Sequence, residues 1–135
     1  MHHRELGCAG EGLLSNAFVE LICDGVHLHP DLVKMVYEMK GAAKMVAVTD
    51  SLPAAGLADG HVVFAGMDVE VKNGTARTVD GTLAGSTLLL RDAVVNIVRF
   101  TGMPLEDAIR TATINPARVI GMESEVGSRG GGQAC

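Results

Sequence analysis

The chain has 135 residues, 47% of them hydrophobic, and a formal net charge of −5 at pH 7. This length and apolar content suit about one domain, and an acidic balance without a basic stripe argues against nucleic acid as the main partner. The apolar runs are too short to span a membrane, the three scattered cysteines give no disulfide framework, and no secretory signal opens the chain. We therefore expect a cytoplasmic protein with no membrane partner.

The first segment, MHHRELGCAGEG at residues 1–12, has no hydrophobic periodicity and predicts a loop. His2 and His3 are candidate metal ligands, although adjacent side chains rarely point the same way, and a purification tag would leave the same pair. Arg4 is by default an ordinary surface arginine. Its functional alternative is an anion ligand, because a guanidinium group matches phosphate with two parallel hydrogen bonds.

Residues 19–50 predict a strand, a helix and a second strand. The runs at 19–23 and 45–49 are short and apolar on both faces, as buried parallel strands are. Between them, Pro30 opens a helical pattern that ends at Lys40. Titratable residues follow each strand, and in parallel α/β folds that end of the sheet carries the chemistry.

Asp50 closes the second of these strands and is the first candidate for a catalytic residue. The ordinary alternative is a turn cap, since aspartate commonly hydrogen-bonds nearby backbone in turns. A catalytic carboxylate here could act as general base toward a metal-bound water and then as general acid toward a leaving amine. The residues alone leave both interpretations open.

His27 and His29 follow the first strand. A lone histidine in a loop is more often a hydrogen-bonded structural residue. An alternating pair on a strand would instead place both rings on one face, where they could chelate a metal. Because Pro30 follows His29 directly, the second histidine is also a candidate for the helix entry.

The segment after Asp50 predicts a small antiparallel excursion at about residues 61–80, rather than another βα unit. Its β-type runs cover 61–64, 67–72 and 75–79, and they are separated by Ala65-Gly66 and Asn73-Gly74, with Asp80-Gly81 at the end. An Asn-Gly pair between β-type runs is a strong hairpin signal.

A loop of small residues at 81–86 comes next. Ser86 can cap the helix that follows it, because serine is a preferred residue at helix starts. The backbone N–H groups of Leu83, Ala84, Gly85 and Ser86 would lie at the start of that helix, which makes them a candidate site for an anion or a sugar hydroxyl.

The last third of the chain predicts helices and a tail. One helix runs to about Phe100, a second begins at Pro104, and a short third turn runs from Pro116. Residues 123–135 carry no apolar pattern and predict a flexible tail. Two parallel strands cannot close a sheet, because each keeps an unpaired edge. The pattern therefore predicts the last part of a larger α/β fold.

Five sequence segments together resemble one family, the N-acetylglucosamine-6-phosphate deacetylases of the amidohydrolase superfamily. The segments are HHRELG, VELICDGVHLHP, KMVAVTDSLPAAG, DGTLAGSTLLLRDAVVNIV and LEDAIRTATINPARVIGM. They occur in the family's order and cover about residues 1–122. The resemblance implies hydrolysis of N-acetylglucosamine 6-phosphate to glucosamine 6-phosphate and acetate.

The resemblance also implies a fold. The family has a metal-dependent hydrolase (β/α)8 barrel of the TIM type, and residues 1–122 would be its last βα units, carrying the β-hairpin excursion. Residues 123–135 would be a divergent tail, because the family's closing strands are not found there.

The resemblance assigns roles to several residues. Asp50 would match the catalytic aspartate, His27 the histidine that helps to polarise the acetamido carbonyl, and Arg4 the arginine that binds the 6-phosphate. The residues that would line the sugar site are Asp24, Gly25, Val26, His27, Leu83, Ala84 and Gly85.

The resemblance implies a divalent metal of the zinc, iron, manganese or cobalt class and a homodimer in the full-length family. The family's metal ligands would lie outside this chain, so the chain alone could be a catalytically silent piece that binds sugar phosphate or serves in assembly. Another amidohydrolase acting on a different amide is a further alternative. N-acetylgalactosamine 6-phosphate, the epimer of N-acetylglucosamine 6-phosphate, is an alternative substrate.

Overall fold

The computed structural model describes residues 4–129. His2 and His3, the candidate metal ligands, lie outside the described residues, as do residues 130–135 of the predicted tail. The helices are α1 (Gly7–Leu14), α2 (Pro30–Lys40), α3 (Leu90–Thr101), α4 (Leu105–Thr111) and α5 (Ile114–Val119), with a 3-10 turn at Ala42–Lys44. The strands are β1 (Val19–Ile22), β2 (Met45–Val48), β3 (Gly60–Phe64), β4 (Met67–Lys72) and β5 (Thr75–Thr78).

Strands β1 and β2 form a parallel pair, as the sequence predicts. Their register runs from Val19 opposite Met45 to Ile22 opposite Val48. Met45 is fully buried, and the main core also includes Cys23 from the end of β1 and Ile97 from α3. Helices α2 and α3 pack against each other, and both also contact β2.

Strands β3, β4 and β5 form an antiparallel sheet, so the predicted excursion is confirmed. Ala65 and Asn73 take positive φ angles of 50° and 51° in its two tight turns. Val69 and Val71 on β4 face inward and form a second, smaller core with Leu52 from the loop after β2. The molecule is therefore an α/β protein with a small antiparallel sheet placed beside that loop.

Helix α1 replaces the loop that the sequence predicts for residues 1–12, so that prediction is wrong for Gly7 onward. The helix has no side-chain cap at its start. At the other end of the helix, the Lys40 amino group of α2 donates to Gly12 O at 2.9 Å and to the carbonyl of Ser15, the residue that follows the helix, at 2.5 Å. This support comes from a residue far along the chain, so local periodicity does not reveal it.

Ser86 does not cap α3, contrary to the sequence prediction. The helix begins at Leu90, with Leu89 at the cap position and no side-chain cap. The Ser86 hydroxyl instead donates to the carbonyl of Thr49 and accepts from the Leu88 N–H. Ser86 therefore joins its loop to the end of β2.

The start of the predicted tail is packed against the helices. Met122 O accepts hydrogen bonds from the N–H groups of Glu125 and Val126. A β-carbon added to Gly127 would lie only 2.9 Å from the Cα of Ile114. Within residues 4–129, no helix has the length and apolar character needed to cross a membrane.

Candidate functional site

Asp24 and Asp50 occupy equivalent places at the same edge of the parallel sheet. Ile22 and Val48 are partners in the register of the two strands. Asp24 lies two residues after Ile22, and Asp50 lies two residues after Val48. The carboxyl ends of parallel strands are where ligands bind in α/β folds. The two loops that the sequence singles out separately are thus brought to one edge of the sheet.

The loop after β2 is fastened to the loop before α3 by four hydrogen bonds. The Ser86 N–H donates to Asp50 O, and the Leu52 N–H donates to Ser86 O, both at 2.8 Å. The Ser51 hydroxyl donates to Leu88 O at 2.5 Å, and the Ser86 hydroxyl donates to Thr49 O. These bonds hold Asp50 next to the segment that contains Leu83, Ala84 and Gly85.

Gly85 is required at the closest point of this contact. Its φ is +76°, and an added β-carbon would lie 3.0 Å from Asp50 O and 3.3 Å from the Leu52 side chain. Leu83 forms an isolated bridge with Arg77, and Ala84 N donates to Ala76 O at 3.1 Å, so β5 supports the loop from the other side. The candidate sugar-binding loop is therefore held between β5 and the Asp50 segment. The prediction that its N–H groups lie at a helix start is wrong, because α3 begins only at Leu90 and the Ala84 N–H is used by Ala76 O.

Asp50 itself is exposed and takes a left-handed backbone conformation with φ 50°. Such a φ is uncommon for any residue other than glycine, although aspartate and asparagine tolerate it best. Backbone held this way clusters at functional sites, where surrounding structure fixes it. An exposed carboxylate on a fixed loop at a strand end is accessible to a substrate.

Asp24 and His27 form a close pair after β1. His27 Nδ1 lies 2.7 Å from Asp24 Oδ2, and Asp24 Oδ1 accepts from the N–H groups of Val26 and His27, both at 2.8 Å. Partial burial alone would raise the pKa of Asp24, but the hydrogen bonds from His27 and Val26 outweigh it and lower the pKa below its usual value. Asp24 is therefore an anion at neutral pH.

Cys23 precedes this pair and is not a reactive thiol. It is fully buried, and this burial, with the adjacent Asp24 charge, raises its pKa to about 12. A thiol in that state is a poor nucleophile. The carbonyl of Cys23 accepts a 2.9 Å hydrogen bond from Asn96 Nδ2 on α3. Sequence reasoning missed Asn96, because its partner lies 73 residues away and a single asparagine in a helix carries no signal.

His29 lies at the entry of α2, which confirms one of the two interpretations of this residue. Its side chain caps the helix by accepting from Asp31 N at 3.2 Å. The Nδ1 atoms of His27 and His29 thus have separate partners, and within residues 4–129 no group of three His, Cys, Asp or Glu could hold a metal ion. The described residues do not fit a metal of the amidohydrolase kind.

Arg4 is exposed just ahead of α1. Gly25 and Val26 are exposed in the turn between Asp24 and His27, and Gly25 has a φ of +78°. The assignment of these residues to a phosphate and a sugar stays a prediction.

Comparison with known proteins places the chain in a family. Residues 2–133 match the amidohydrolase family. The N-acetylglucosamine-6-phosphate deacetylase of Bacillus subtilis is 40% identical over 128 residues, which cover 94% of this chain and 32% of that protein. A shorter Escherichia coli K12 protein, provisionally named an N-acetylgalactosamine-6-phosphate deacetylase, is 40% identical over 129 residues, which cover 95% of this chain and 77% of that protein.

Solved structures agree. A crystal structure of N-acetylglucosamine-6-phosphate deacetylase from Thermotoga maritima superposes with a TM-score of 0.91 at 44% identity, covering 98% of this chain and 36% of that one. A second solved structure is that of an aspartate-to-alanine variant of the Mycobacterium smegmatis deacetylase in complex with N-acetyl-D-glucosamine 6-phosphate. It superposes with a TM-score of 0.89 at 31% identity, covering 98% of this chain and 36% of that one. The chain thus spans about a third of these deacetylases. It belongs to the amidohydrolase family.

Proposed function

We propose that this chain is part of a hydrolase that removes the acetyl group from N-acetylglucosamine 6-phosphate, releasing acetate and glucosamine 6-phosphate. The observation that carries the proposal is the exposed carboxylate of Asp50, fixed at the end of a buried parallel strand and fastened to the Gly85 loop. The names of the similar proteins support the substrate class.

Asp50 does the proton chemistry in this proposal. Amide hydrolysis adds water to the carbonyl carbon, and the amine leaves only when its nitrogen gains a proton. A single carboxylate can take a proton from the attacking water and later deliver it to the departing nitrogen, so no proton is gained or lost overall. The complex of a relative's aspartate variant with the sugar phosphate supports a catalytic aspartate in this family.

The remaining predicted residues bind the substrate in the proposal. The backbone of Leu83, Ala84 and Gly85 meets the sugar, the turn from Asp24 to His27 meets the acetamido group, and Arg4 meets the 6-phosphate. The whole enzyme is proposed to be a cytoplasmic homodimer with a (β/α)8 barrel, of which residues 1–122 are the last βα units and residues 123–135 a divergent tail.

A divalent metal of the zinc, iron, manganese or cobalt class belongs to the proposal for the whole enzyme only. In this proposal its ligands come from other parts of the enzyme, and residues 4–129 offer no group of three His, Cys, Asp or Glu that could hold it.

Two observations keep further candidates in view. Since the chain spans about a third of most of these deacetylases, one alternative is that the 135-residue polypeptide alone is catalytically silent and binds sugar phosphate or a complementary piece. The relatives also include N-acetylgalactosamine-6-phosphate deacetylases at 40% identity, one of them from E. coli O157:H7. N-acetylgalactosamine 6-phosphate is therefore the second candidate substrate.

The decisive experiment uses the polypeptide encoded by the complete reading frame, found by sequencing the coding DNA on both sides. Asp50→Asn should lower kcat by about 100- to 10,000-fold, because it removes the proton carrier, while sugar-phosphate binding is kept. Asp68→Asn, an exposed carboxylate on β4, is the matched control and should be neutral. Near-normal turnover in the Asp50 variant would overturn the proposal, and comparing kcat/KM for the two epimers decides between the substrates.

A further inference from the structure

The two histidines after β1 use the same ring atom in opposite ways. His27 Nδ1 faces the carboxylate oxygen Asp24 Oδ2 at 2.7 Å. His29 Nδ1 accepts from the backbone N–H of Asp31 at 3.2 Å. The Asp31 carboxylate lies farther from the same atom, at 3.5 Å, and both side chains are exposed to water. A carboxylate only accepts and a backbone N–H only donates. In the neutral rings, the proton therefore lies on Nδ1 of His27 but on Nε2 of His29.

Asp24 is fixed so that it keeps this role. Its Oδ1 is engaged by two backbone donors, the N–H groups of Val26 and His27. These bonds close the turn and leave only Oδ2 for the imidazole. The Asp24 side chain is 13% exposed and that of His27 19%, so water competes little for the pair.

We propose that Asp24 is a positioning residue that sets the tautomer of His27, so that the neutral ring presents Nε2 as a hydrogen-bond acceptor at the edge of the parallel sheet. The partner of Nε2 rests on the proposed function. As an acceptor, Nε2 can take a hydrogen bond from the amide N–H of an acetamido sugar or from a sugar hydroxyl. A hydrogen bond to the carbonyl oxygen requires a second proton on the ring, with Asp24 as the counter-charge.

Asp24→Asn tests this assignment because the amide has one oxygen and one NH₂ group. The two backbone N–H groups need the oxygen, since facing NH₂ toward them would set donor against donor. The NH₂ group must then face His27 Nδ1, which becomes an acceptor. The proton of the neutral ring moves to Nε2, and the hydrogen-bonding role of that atom reverses.

The measurement is two-bond proton–nitrogen NMR on the ¹⁵N-histidine-labelled full chain, without substrate, raised in pH until each ring shows one unprotonated nitrogen. We expect that nitrogen to be Nε2 in His27 and Nδ1 in His29, so one wild-type spectrum already tests the inference. Asp24→Asn should move the unprotonated position of His27 to Nδ1 and leave His29 unchanged. Asp31→Asn is the matched control, because it removes the more distant carboxylate but keeps the backbone N–H from which His29 Nδ1 accepts, so His29 should keep its tautomer.

An unprotonated Nδ1 on His27 in the wild-type chain would overturn the inference, as would an unchanged His27 in a folded Asp24→Asn chain. Neither result depends on turnover, so failure of the proposed deacetylation and failure of this inference are separate outcomes. In the complete enzyme, we expect the reversed hydrogen-bonding role of Nε2 in Asp24→Asn to alter turnover. The NMR signals of the His27 ring nitrogens distinguish this change from general unfolding.

Discussion

A β-carbon on Gly85 would lie 3.0 Å from the carbonyl oxygen of Asp50. The same carbonyl accepts the Ser86 N–H at 2.8 Å, so the backbone of the loop before α3 sits directly on the candidate catalytic residue. This contact makes the geometry of Asp50 depend on a segment that lies beyond the three-stranded sheet in sequence.

Gly85→Ala should damage both stability and the site. The added methyl group meets backbone, and the φ of +76° is itself costly for alanine, so we expect about 1–3 kcal/mol less free energy of unfolding. Gly66→Ala is the control, because its φ is +79° but its β-carbon meets nothing within 4 Å. Denaturant unfolding of both variants checks this, and an equal cost would show that the contact with Asp50 is unimportant.

The left-handed backbone of Asp50 predicts a clear order of tolerance. Asparagine tolerates φ near 50°, so Asp50→Asn should change the free energy of unfolding by less than about 0.5 kcal/mol. Asp50→Val should cost about 1–2 kcal/mol more, because a β-branched side chain crowds the backbone there. Thermal unfolding of the two variants measures the difference in their stability. A valine variant as stable as the asparagine variant would show that the backbone conformation of Asp50 is not strained.

Ser86→Ala should loosen the contact between the two loops. Ser86 is 2% exposed and its hydroxyl joins Thr49 O to Leu88 N, so removing the hydroxyl leaves these backbone groups without that partner and should cost about 1–3 kcal/mol. Ser15→Ala provides the comparison, since that exposed hydroxyl donates to Gly12 O and accepts from the Ala17 N–H, and water can replace it. Chemical denaturation should separate the two variants, and similar losses would argue against a fastening role for Ser86.

The lowered pKa of Asp24 predicts an acid-dependent part of stability. The carboxylate bonds in the folded state favour the anion, so their stabilisation is complete above the unfolded pKa of about 3.9 and is lost as pH falls through the lower folded value. Asp24→Asn cannot titrate. The stability difference between wild type and variant should therefore shrink on acidification through that window, and a constant difference would contradict the assigned bonds.

The proposed phosphate contact predicts a selective loss on changing Arg4 in the complete enzyme. Arg4→Ala should lower kcat/KM for the 6-phosphorylated sugar by about 10- to 100-fold, since charged hydrogen bonds are lost. Its effect on an unphosphorylated acetamido sugar should be small. Arg4→Lys should lie between the two, because it keeps the charge but not the paired geometry. Equal losses on both sugars would favour an amidohydrolase of another substrate class.

The prediction of the elements succeeds where neighbouring residues decide the structure. The apolar runs of β1 and β2, the Pro30 start of α2 and the Asn73-Gly74 turn all act within a few residues, and each appears in the structure. The prediction fails at α1, whose end is completed by Lys40, and at Ser86, whose partner is Thr49. In both cases the deciding partner is distant along the chain.

The candidate site divides in the same way. By itself the sequence determined which residues are candidates, because an aspartate after an apolar strand and a small-residue loop before a helix are local patterns. Only the tertiary structure decided that the Asp50 and Gly85 segments touch, that Asp24 holds His27 by Nδ1, and that Asn96 ties α3 to the end of β1. The reason is physical: these contacts depend on strand register and helix packing, which place residues together regardless of their separation in sequence.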